Sequence, residues 1–361
     1  MVSATMANSA PTPDYSEDFS VDTIDYSDIP SVCVKNDVQK LISTLQPCIY
    51  SLVFILGLVG NSLVLGTYIY HKRLKSMTDL YLLNLAIADI LFLFTLPFQA
   101  ASSVTGWIFG TFICRIVQSL YKMNLYSGFL FLMCISVDRY FVIVRAAAAH
   151  RLRSKRLLYS RFICLIVWLV SVFLSLPQFV YTKVEIKPES ICLVSYTDSM
   201  GTWMKVFTLI LQLLVGFFLP MVVMVFCYSV TIKTLLQARN FQKHKAIKLI
   251  LVVVLIFIVF QAPYNILTIL KTMETLRKNG VPCHESKLRD IAVQVTSGLA
   301  YTRCCLNPIL YVFVGVKFRN NLLSLLQHAG CIEHRGPSTS RTNSGRRLSV
   351  ANTEITNTFT I

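Results

Sequence analysis

Seven long apolar runs constrain this chain more than any other feature of its sequence. They cover roughly residues 47–70, 79–103, 113–144, 159–181, 204–232, 247–272 and 290–314. An apolar run of about 20 residues is long enough to cross a bilayer as a helix. The runs do not alternate as membrane strands do, and a helix satisfies its own backbone hydrogen bonds in lipid. The sequence therefore predicts an all-α membrane protein, a bundle of seven transmembrane helices over residues 46–315.

The charges of the chain agree with this class and predict an orientation. Only 14% of the residues are charged, against about 25% in a typical soluble domain. Most of the net charge of +16 comes from Lys and Arg in the links after the first, third and fifth spans and in the tail. Because cytoplasmic loops carry this bias, we expect the N-terminus outside and the C-terminus in the cytoplasm. The bias also explains the net charge without a nucleic-acid partner.

Residues 1–45 are predicted to form an acidic extracellular tail. Residues 1–34 contain six acids and no Lys or Arg. Tyr15 and Tyr26 lie among the acids and are candidates for sulfation. The tail is either a plain solvated segment or an anionic surface that attracts a basic partner.

Four of the 11 cysteines lie at predicted extracellular positions: Cys33, Cys114, Cys192 and Cys283. An even number in an oxidising compartment indicates two disulfides, for which the sequence allows three pairings. A Cys114–Cys192 bond would hold the loop after the fourth span over the bundle. A Cys33–Cys283 bond would tie the tail to the rim of the bundle.

Polar residues inside the spans are rare and usually functional. Asn61, Asp89 and Asn307 fall near mid-depth, which predicts a shared polar network, and Asn124 is expected near Asp89 in this polar core. Asp89 could hold a sodium ion, or it could be a hydrogen-bonded or protonated carboxyl. Arg303, one turn above Asn307, offers a third reading, in which it neutralises Asp89 itself.

An acid and a base stand together in "CISVDRYFVIV", residues 134–144. Arg139 follows Cys114 by 25 residues, about 37 Å of helix, which exceeds the bilayer's hydrocarbon thickness of about 30 Å. The pair Asp138–Arg139 should therefore face the inner surface. We expect Asp138 to hold Arg139 while the bundle is closed; a plain interfacial ion pair is the alternative. Tyr228 and Tyr311, near the inner ends of their spans, either reach Arg139 through water or anchor the interface.

Beyond the last span, residues 316–331 are predicted to form an amphipathic helix on the membrane surface. Cys331 at its end is a candidate for palmitoylation. Residues 332–361 are predicted to be a phosphorylatable cytoplasmic tail, in which "RRLS" makes Ser349 a candidate for a kinase that prefers basic residues. An unstructured polar tail is the alternative.

Several motifs, in chain order, resemble the signature of rhodopsin-like (class A) G-protein-coupled receptors. They are "GN" ending at Asn61, "LAIAD" ending at Asp89, "DRY" at 138–140, "QAPY" around Pro263 and "NPILY" from Asn307. The acidic tail, "TLPF" at 95–98, Cys33 and Cys283 resemble a chemokine receptor, and "CISVDRY" resembles the CC branch. Within it, "VTSGLAYTRCCLNP" resembles type 10 most, "GVKFRN" type 7 and "KRLLYS" type 9.

This resemblance implies a plasma-membrane receptor for a CC chemokine. The ligand would dock on the sulfated tail and insert its N-terminus into the bundle. An inhibitory-type heterotrimeric G protein would then bind inside and lead to calcium release and chemotaxis, and receptor kinases and arrestin would end the signal. The alternative is an atypical receptor that scavenges chemokine without G-protein coupling.

The resemblance also implies roles for individual residues and no cofactor. Ligand-binding residues would be Tyr15, Tyr26, Gln99, Trp107, Tyr121, Gln261, Tyr264 and Ser297. Coupling residues would be Asp138, Arg139, Tyr140, Tyr228, Asn307, Pro308 and Tyr311. The disulfides would be Cys33–Cys283 and Cys114–Cys192. The chain departs from the family at Ser297, where many chemokine receptors carry an acid, and at the alanine run 146–149 in the second inner loop.

Other functional classes fit the sequence less well. The sequence shows no nucleophile–base pair or metal cluster, so we do not expect an enzyme. A retinal protein would need a Lys in the seventh span, and residues 290–314 contain none. A transporter would show internal repeats, which are missing here.

Overall fold

The structure is a computed structural model that describes residues 33–71, 76–147, 153–186, 190–196, 201–237, 243–277, 282–314, 320, 322–325 and 327. The helices in this part of the chain are α1 (Asn36–His71), α2 (Met77–Leu93), α3 (Leu96–Thr105), α4 (Gly110–Val144), α5 (Arg153–Tyr181), α6 (Gly201–Leu213), α7 (Leu219–Gln237), α8 (Lys243–Arg277) and α9 (Cys283–Val314). Strands β1 (Thr182–Ile186) and β2 (Ser190–Val194) form a hairpin between α5 and α6, and a π-helical segment (Leu214–Phe218) joins α6 to α7.

The seven predicted spans all lie in helices, which confirms the predicted fold class. The second span consists of α2 and α3, and the fifth consists of α6, the π-helical segment and α7. Six of the described helical units are long and apolar enough to cross a membrane. The seventh, α9, is 32 residues long and more polar, because it carries Arg289 and Asp290 near its outer end and Arg303 farther in.

Helices α1 and α9 begin seven or more residues before the starts that their apolar runs predict. Helix α1 begins at Asn36, so the last ten residues assigned to the extracellular tail are helical. Helix α9 begins at Cys283 instead of near residue 290. Hydropathy marks only the part of a helix that faces lipid, whereas polar contacts stabilise the extensions. Lys35 Nζ, just before α1, lies 2.7 Å from both Asp290 Oδ2 and Ser286 Oγ of α9.

The second span is interrupted where hydropathy alone predicts a continuous helix. Pro97 lies in the first turn of α3, where backbone N–H groups have no partner within the helix, so the missing N–H of proline costs no helical hydrogen bond. The Thr95 hydroxyl donates to the Phe92 carbonyl at 2.7 Å, which satisfies one of the carbonyls at the end of α2. At its other end, α2 begins with a reciprocal capping box between Ser76 and Asp79.

Helix α4 is the centre of the bundle, because it packs against α2, α5 and α7. Towards the inner side, Tyr81 and Leu85 of α2 pack with Phe131 of α4 and Val167 of α5. A second buried cluster contains Phe129 of α4 together with Phe217 and Phe257. Large apolar side chains on the outside of α5 are more than half exposed, as expected of a face that meets lipid: Phe162, Leu165, Ile166 and Leu169.

Part of the predicted amphipathic helix is visible after α9. Residues 320, 322–325 and 327 are helical, and Leu322 packs against the inner core cluster. Several residues for which the sequence predicts a role lie outside the described residues: Tyr15, Tyr26, Ala148, Ala149, Cys331, Ser349, the tail 332–361 and the side chain of Tyr311.

Candidate ligand cavity and coupling site

A two-stranded hairpin covers the outer end of α4. Strands β1 and β2 pair antiparallel with Val184 opposite Cys192. Cys192 forms a disulfide with Cys114 in the first turns of α4, so the hairpin is covalently fixed to the central helix. The Trp107 backbone N–H donates to the Ser190 carbonyl at 2.7 Å and holds the hairpin from the other side. Cys283 is disulfide-bonded, and so is Cys33, but their predicted pairing with each other stays a prediction.

A cavity of about 570 Å³ lies beneath this hairpin. Its walls come from α4, α5, α6, α8 and the two strands. Charged or polar side chains line much of it: Lys122, Gln178, Glu185, Lys205, Gln212 and Tyr264. A cavity of this size with a few polar groups on its walls is typical of a ligand site.

A row of hydrogen bonds runs from α4 to α8, and two of its three members, Lys122 and Gln212, line the cavity. Lys122 Nζ donates to Gln212 Oε1. Gln212 Nε2 then donates to Asn265 Oδ1 at 3.1 Å, and both amide side chains are buried. Our sequence analysis missed this row. Lys122 interrupts an apolar span just as Asp89 does, so the rule that selected Asp89 would have found it as well.

Tyr196, which follows β2, contributes a neutral phenol to the same cavity. Its hydroxyl lies 3.1 Å from Thr208 Oγ1, and its ring centroid lies 5.1 Å from that of Tyr181. Burial raises the pKa of Tyr196 above its usual range. The side chain therefore acts as a hydrogen-bonding group and not as a charge.

The pocket residues predicted from sequence fall in different places. Tyr121 and Tyr264 line the cavity, whereas Gln261 lies deeper, beside a smaller hollow that Tyr121 also lines. Trp107 is only 4% exposed and packs against Phe109 and Cys114 beneath the hairpin. Trp107 is not among the residues that line the 570 Å³ cavity, and its predicted contact with a ligand remains a proposal.

Two further predicted pocket residues also lie away from the wall of this cavity. The Ser297 hydroxyl donates to the Gln294 carbonyl of its own helix at 2.9 Å. Gln99 lies in the first turn of α3, where its carbonyl accepts from the Ser103 hydroxyl. Neither residue is among those that line the 570 Å³ cavity. Their predicted contact with a ligand remains a proposal.

The polar residues at mid-depth come together around Asp89. Asn124 Nδ2 donates to Asp89 Oδ1 at 2.8 Å, and Asn307 Nδ2 donates to Asp89 Oδ2 at 2.7 Å. Asn61 does not reach this carboxyl and donates to the Gly57 and Cys304 carbonyls instead. The network thus joins α2, α4 and α9 through one buried carboxyl.

Arg303 occupies the space beside this network. Its Nη2 donates to Asn124 Oδ1 at 2.9 Å, and its Cζ lies 5.0 Å from the centre of the Phe129 ring. In the described part of the chain no carboxylate lies within ion-pair distance of the guanidinium, so Arg303 does not contact Asp89 directly. It places a buried positive charge next to the carboxyl, with Asn124 between them.

At the inner end of α4, Asp138 does not pair with Arg139 as predicted, but with side chains of two other helices. Asp138 Oδ1 accepts from Arg156 Nη2 of α5, and Asp138 Oδ2 accepts from the Thr78 hydroxyl of α2, both at 2.5 Å. Consecutive residues point about 100° apart around a helix, so Asp138 faces α2 and α5 while Arg139 faces elsewhere. Among the described residues, no carboxylate forms an ion pair with Arg139.

The surroundings of Arg139 are the inner ends of neighbouring helices. It lies close enough to Tyr228 of α7 for its charge to act on that hydroxyl. The Tyr140 ring lies 6.2 Å from Phe226 of the same helix. On α9, the Pro308 ring packs closely against Gly60 of α1. The predicted coupling residues therefore lie at the inner ends or at helix contacts of the bundle.

Comparison with known proteins agrees with this arrangement. The family model for the 7 transmembrane receptor (rhodopsin family) matches residues 60–311. The chain is 45% identical over 312 residues to C-C chemokine receptor type 7 of Homo sapiens, covering 86% of this chain and 82% of the relative. It is 44% identical over 333 residues to type 9 of Homo sapiens, covering 90% of each. Atypical chemokine receptor 4 of Bos taurus is 38% identical over 316 residues, covering 88% of this chain and 89% of the relative.

These relatives extend along nearly all of the bundle and support the CC branch, while the resemblance to type 10 stays a prediction. Residues 60–311, which the family model matches, carry the polar core around Asp89, the Arg139 motif and at least part of each of the seven spans. The chain is accordingly a multi-pass membrane receptor and not an enzyme, and it belongs to the rhodopsin family of seven-transmembrane receptors, in its CC chemokine receptor branch.

Proposed function

We propose that this chain is a plasma-membrane receptor that binds a CC-type chemokine outside the cell and activates an inhibitory-type heterotrimeric G protein inside. Calcium release and chemotaxis would follow. Relatives at 44–45% identity are named as C-C chemokine receptors, which supports the ligand class. The orientation, with the N-terminus outside, is supported by the excess of Lys and Arg in the inner links.

The outer half of the bundle suits a ligand that inserts a segment. The hairpin is fixed to α4 through Cys192, and a cavity of about 570 Å³ lies below it. The acidic residues of the tail complement a basic ligand and would speed its encounter. The chemokine body would dock on the tail, where Tyr15 and Tyr26 are proposed sulfation sites, and its N-terminus would enter the cavity.

The single observation that best supports G-protein coupling is that Arg139 forms no ion pair with any described carboxylate. Its neighbour Asp138 is bound to Arg156 and Thr78, so no described carboxylate holds Arg139 at the inner end of α4. A guanidinium presents five donors and keeps its charge at any physiological pH. Once the inner ends of the helices separate, Arg139 can donate hydrogen bonds to a G-protein segment, and no ion pair has to break first.

The cytoplasmic segments are proposed to end the signal. Receptor kinases would phosphorylate the tail, with Ser349 as one candidate site, and arrestin would bind the phosphates. The amphipathic helix after α9 would lie on membrane lipid, and a palmitoyl group on Cys331 would anchor it more firmly.

The function is tested by exposing cells that express this chain to a panel of CC chemokines. Activation of the inhibitory G protein and recruitment of arrestin are measured in the same cells, with untransfected cells as the control. We expect at least one CC chemokine to give both responses. A panel that gives no response in cells with the receptor at their surface would contradict the proposed function.

A second candidate is an atypical receptor that takes up chemokine without G-protein signalling. The 38% identity to atypical chemokine receptor 4 supports this candidate. The same panel separates the two: chemokine uptake and arrestin recruitment with no G-protein activation would favour the atypical receptor.

A further inference from the structure

We propose that the small hollow beside Gln261 binds one small inorganic anion, chloride under physiological conditions. Arg303 of α9 and Gln261 of α8 hold the ion. The hollow measures about 10 Å³ and lies between α2, α4, α8 and α9. It is distinct from the 570 Å³ cavity, and among the described residues only Tyr121 lines both.

The first observation is that Arg303, which lines the hollow, carries a buried charge without a counter-ion. It is only 5% exposed, and in the described part of the chain no carboxylate lies within ion-pair distance of its guanidinium. Its Nη2 donates to the neutral Asn124 Oδ1, whereas its Nη1 has no hydrogen-bond partner. A buried charge is costly unless it is paired and hydrogen-bonded. An anion beside Arg303 supplies both the opposite charge and an acceptor.

Gln261 brings a second unused donor to the same hollow. It is 2% exposed, and its Nε2 has no hydrogen-bond partner among the described residues. A buried donor without a partner loses its bonds to water and gains nothing in return. Since Gln261 belongs to α8 and Arg303 to α9, one acceptor in the hollow serves donors from two helices.

The walls of the hollow restrict the size of its occupant. Phe92, Tyr121 and Tyr301 all line it, and their rings pack against one another with centroids 5.2–5.9 Å apart. A volume of about 10 Å³ admits one occupant of roughly the size of a water molecule. A halide ion fits this description, whereas an organic anion such as gluconate is too large.

Chloride suits the hollow better than water does. A water molecule accepts from both nitrogens but also brings two O–H donors that need acceptors of their own, whereas chloride only accepts. No acid is among the described residues that line the hollow. Asp89 lies beyond Asn124, and its two oxygens already accept from Asn124 and Asn307. The positive charge of Arg303 therefore determines which ion the hollow prefers.

The proposal is tested by measuring the apparent Tm of the purified receptor in sodium chloride and in sodium gluconate at equal concentration. Because only chloride enters the hollow, we expect the Tm in chloride to be higher by a few degrees and the effect to saturate with concentration. In Gln261→Leu, which removes one donor, the difference should fall to roughly half or less. Arg303→Met should abolish it. Lys40→Met removes an exposed charge from α1 and should leave the difference unchanged.

Equal Tm values in the two salts for the wild type would overturn the proposal. So would a chloride effect of full size in Gln261→Leu, because the ion would then bind elsewhere on the protein. Gln261→Leu removes no charge, so it keeps the test decisive even if Arg303→Met does not fold.

A second measurement locates the ion. Bromide replaces chloride and scatters X-rays anomalously, so a crystal of the receptor grown in sodium bromide should show an anomalous peak within hydrogen-bonding reach of Arg303 and Gln261. A hollow without this peak would contradict the proposal. Neither measurement depends on whether a chemokine activates the receptor, so the anion site can fail while the proposed function stands.

Discussion

Asp138 is held by two side chains from two other helices, and this contact joins α4 to α2 and α5. Thr78 and Arg156 each lie 2.5 Å from one of its oxygens. The sequence places Arg139 beside Asp138, but neighbours in a helix point in different directions. The pairing could not be predicted from the motif, because it depends on Arg156, which is 18 residues away.

We expect Asp138→Asn to destabilise the receptor without changing the contacts of Arg139, because Arg139 forms no ion pair with Asp138. The substitution removes the charge that Arg156 contacts, and because the Asp138 carboxylate is only 5% exposed the loss should be about 1–3 kcal/mol. The apparent Tm of purified protein should fall by a few degrees. Arg156→Gln is the matched control and should give a similar loss, with little further loss in the double variant.

The prediction for Asp138 is tested further by combining Asp138→Asn with Arg139→Ala. If the two residues act independently, their effects on Tm add. Strong non-additivity would show that Asp138 holds Arg139 after all.

Arg303 bears on the sodium site considered for Asp89. Both carboxyl oxygens of Asp89 already accept from Asn124 and Asn307, and the guanidinium of Arg303 donates to the same Asn124. A buried positive charge next to the carboxyl disfavours a second cation there. We therefore expect the Tm of the purified receptor to be equal in sodium chloride and in choline chloride at the same ionic strength. A higher Tm in sodium would contradict this account of Arg303.

Helix packing is close where small residues bring two helices together. A methyl group added at Gly57 of α1 would lie 2.7 Å from Leu93 Cδ2, and Leu93 is fully buried. Gly66, nine residues further along the same helix, has its nearest such neighbour at 3.8 Å, which is an ordinary contact. The same substitution should therefore have opposite effects at the two positions.

We expect Gly57→Ala to lower stability by about 1–3 kcal/mol through overpacking against α2. Gly66→Ala should be neutral or stabilising by up to about 1 kcal/mol, because alanine suits a helix interior better than glycine. Thermal unfolding of the two purified variants checks the pair. Equal losses in the two variants would show that the contact with Leu93 does not determine the effect.

Hydropathy predicted the helical elements well and their interruptions poorly. The apolar runs predict the approximate length of each helix and the class of the fold, because only a long apolar helix can cross the bilayer. The break between α2 and α3 falls at Thr95 and Pro97, and the π-helical segment Leu214–Phe218 contains Phe217, which stacks on Phe257 with ring centroids 5.5 Å apart. A local break and a stacking contact of this kind leave no periodic signal in the sequence.

At the scale of the whole molecule, the bundle joins an outer cavity to an inner cationic site through one central helix. Tyr121 and Lys122 face the cavity, Asn124 belongs to the core around Asp89, and Arg139 lies at the inner end, all on α4. The motifs predicted the core and the inner site. The polar row beside the cavity was harder to predict, because it depends on contacts of Gln212 with Lys122 and Asn265, which lie on other helices.

The central claim is that a chemokine bound outside acts through this bundle on Arg139. The most direct measurement compares wild type and Arg139→Ala in intact cells, with surface binding of an activating CC chemokine and G-protein activation recorded together. The account predicts that Arg139→Ala binds the chemokine as the wild type does and activates the G protein at least 10-fold less. Undiminished activation, or a loss of binding equal to the loss of activation, would contradict it.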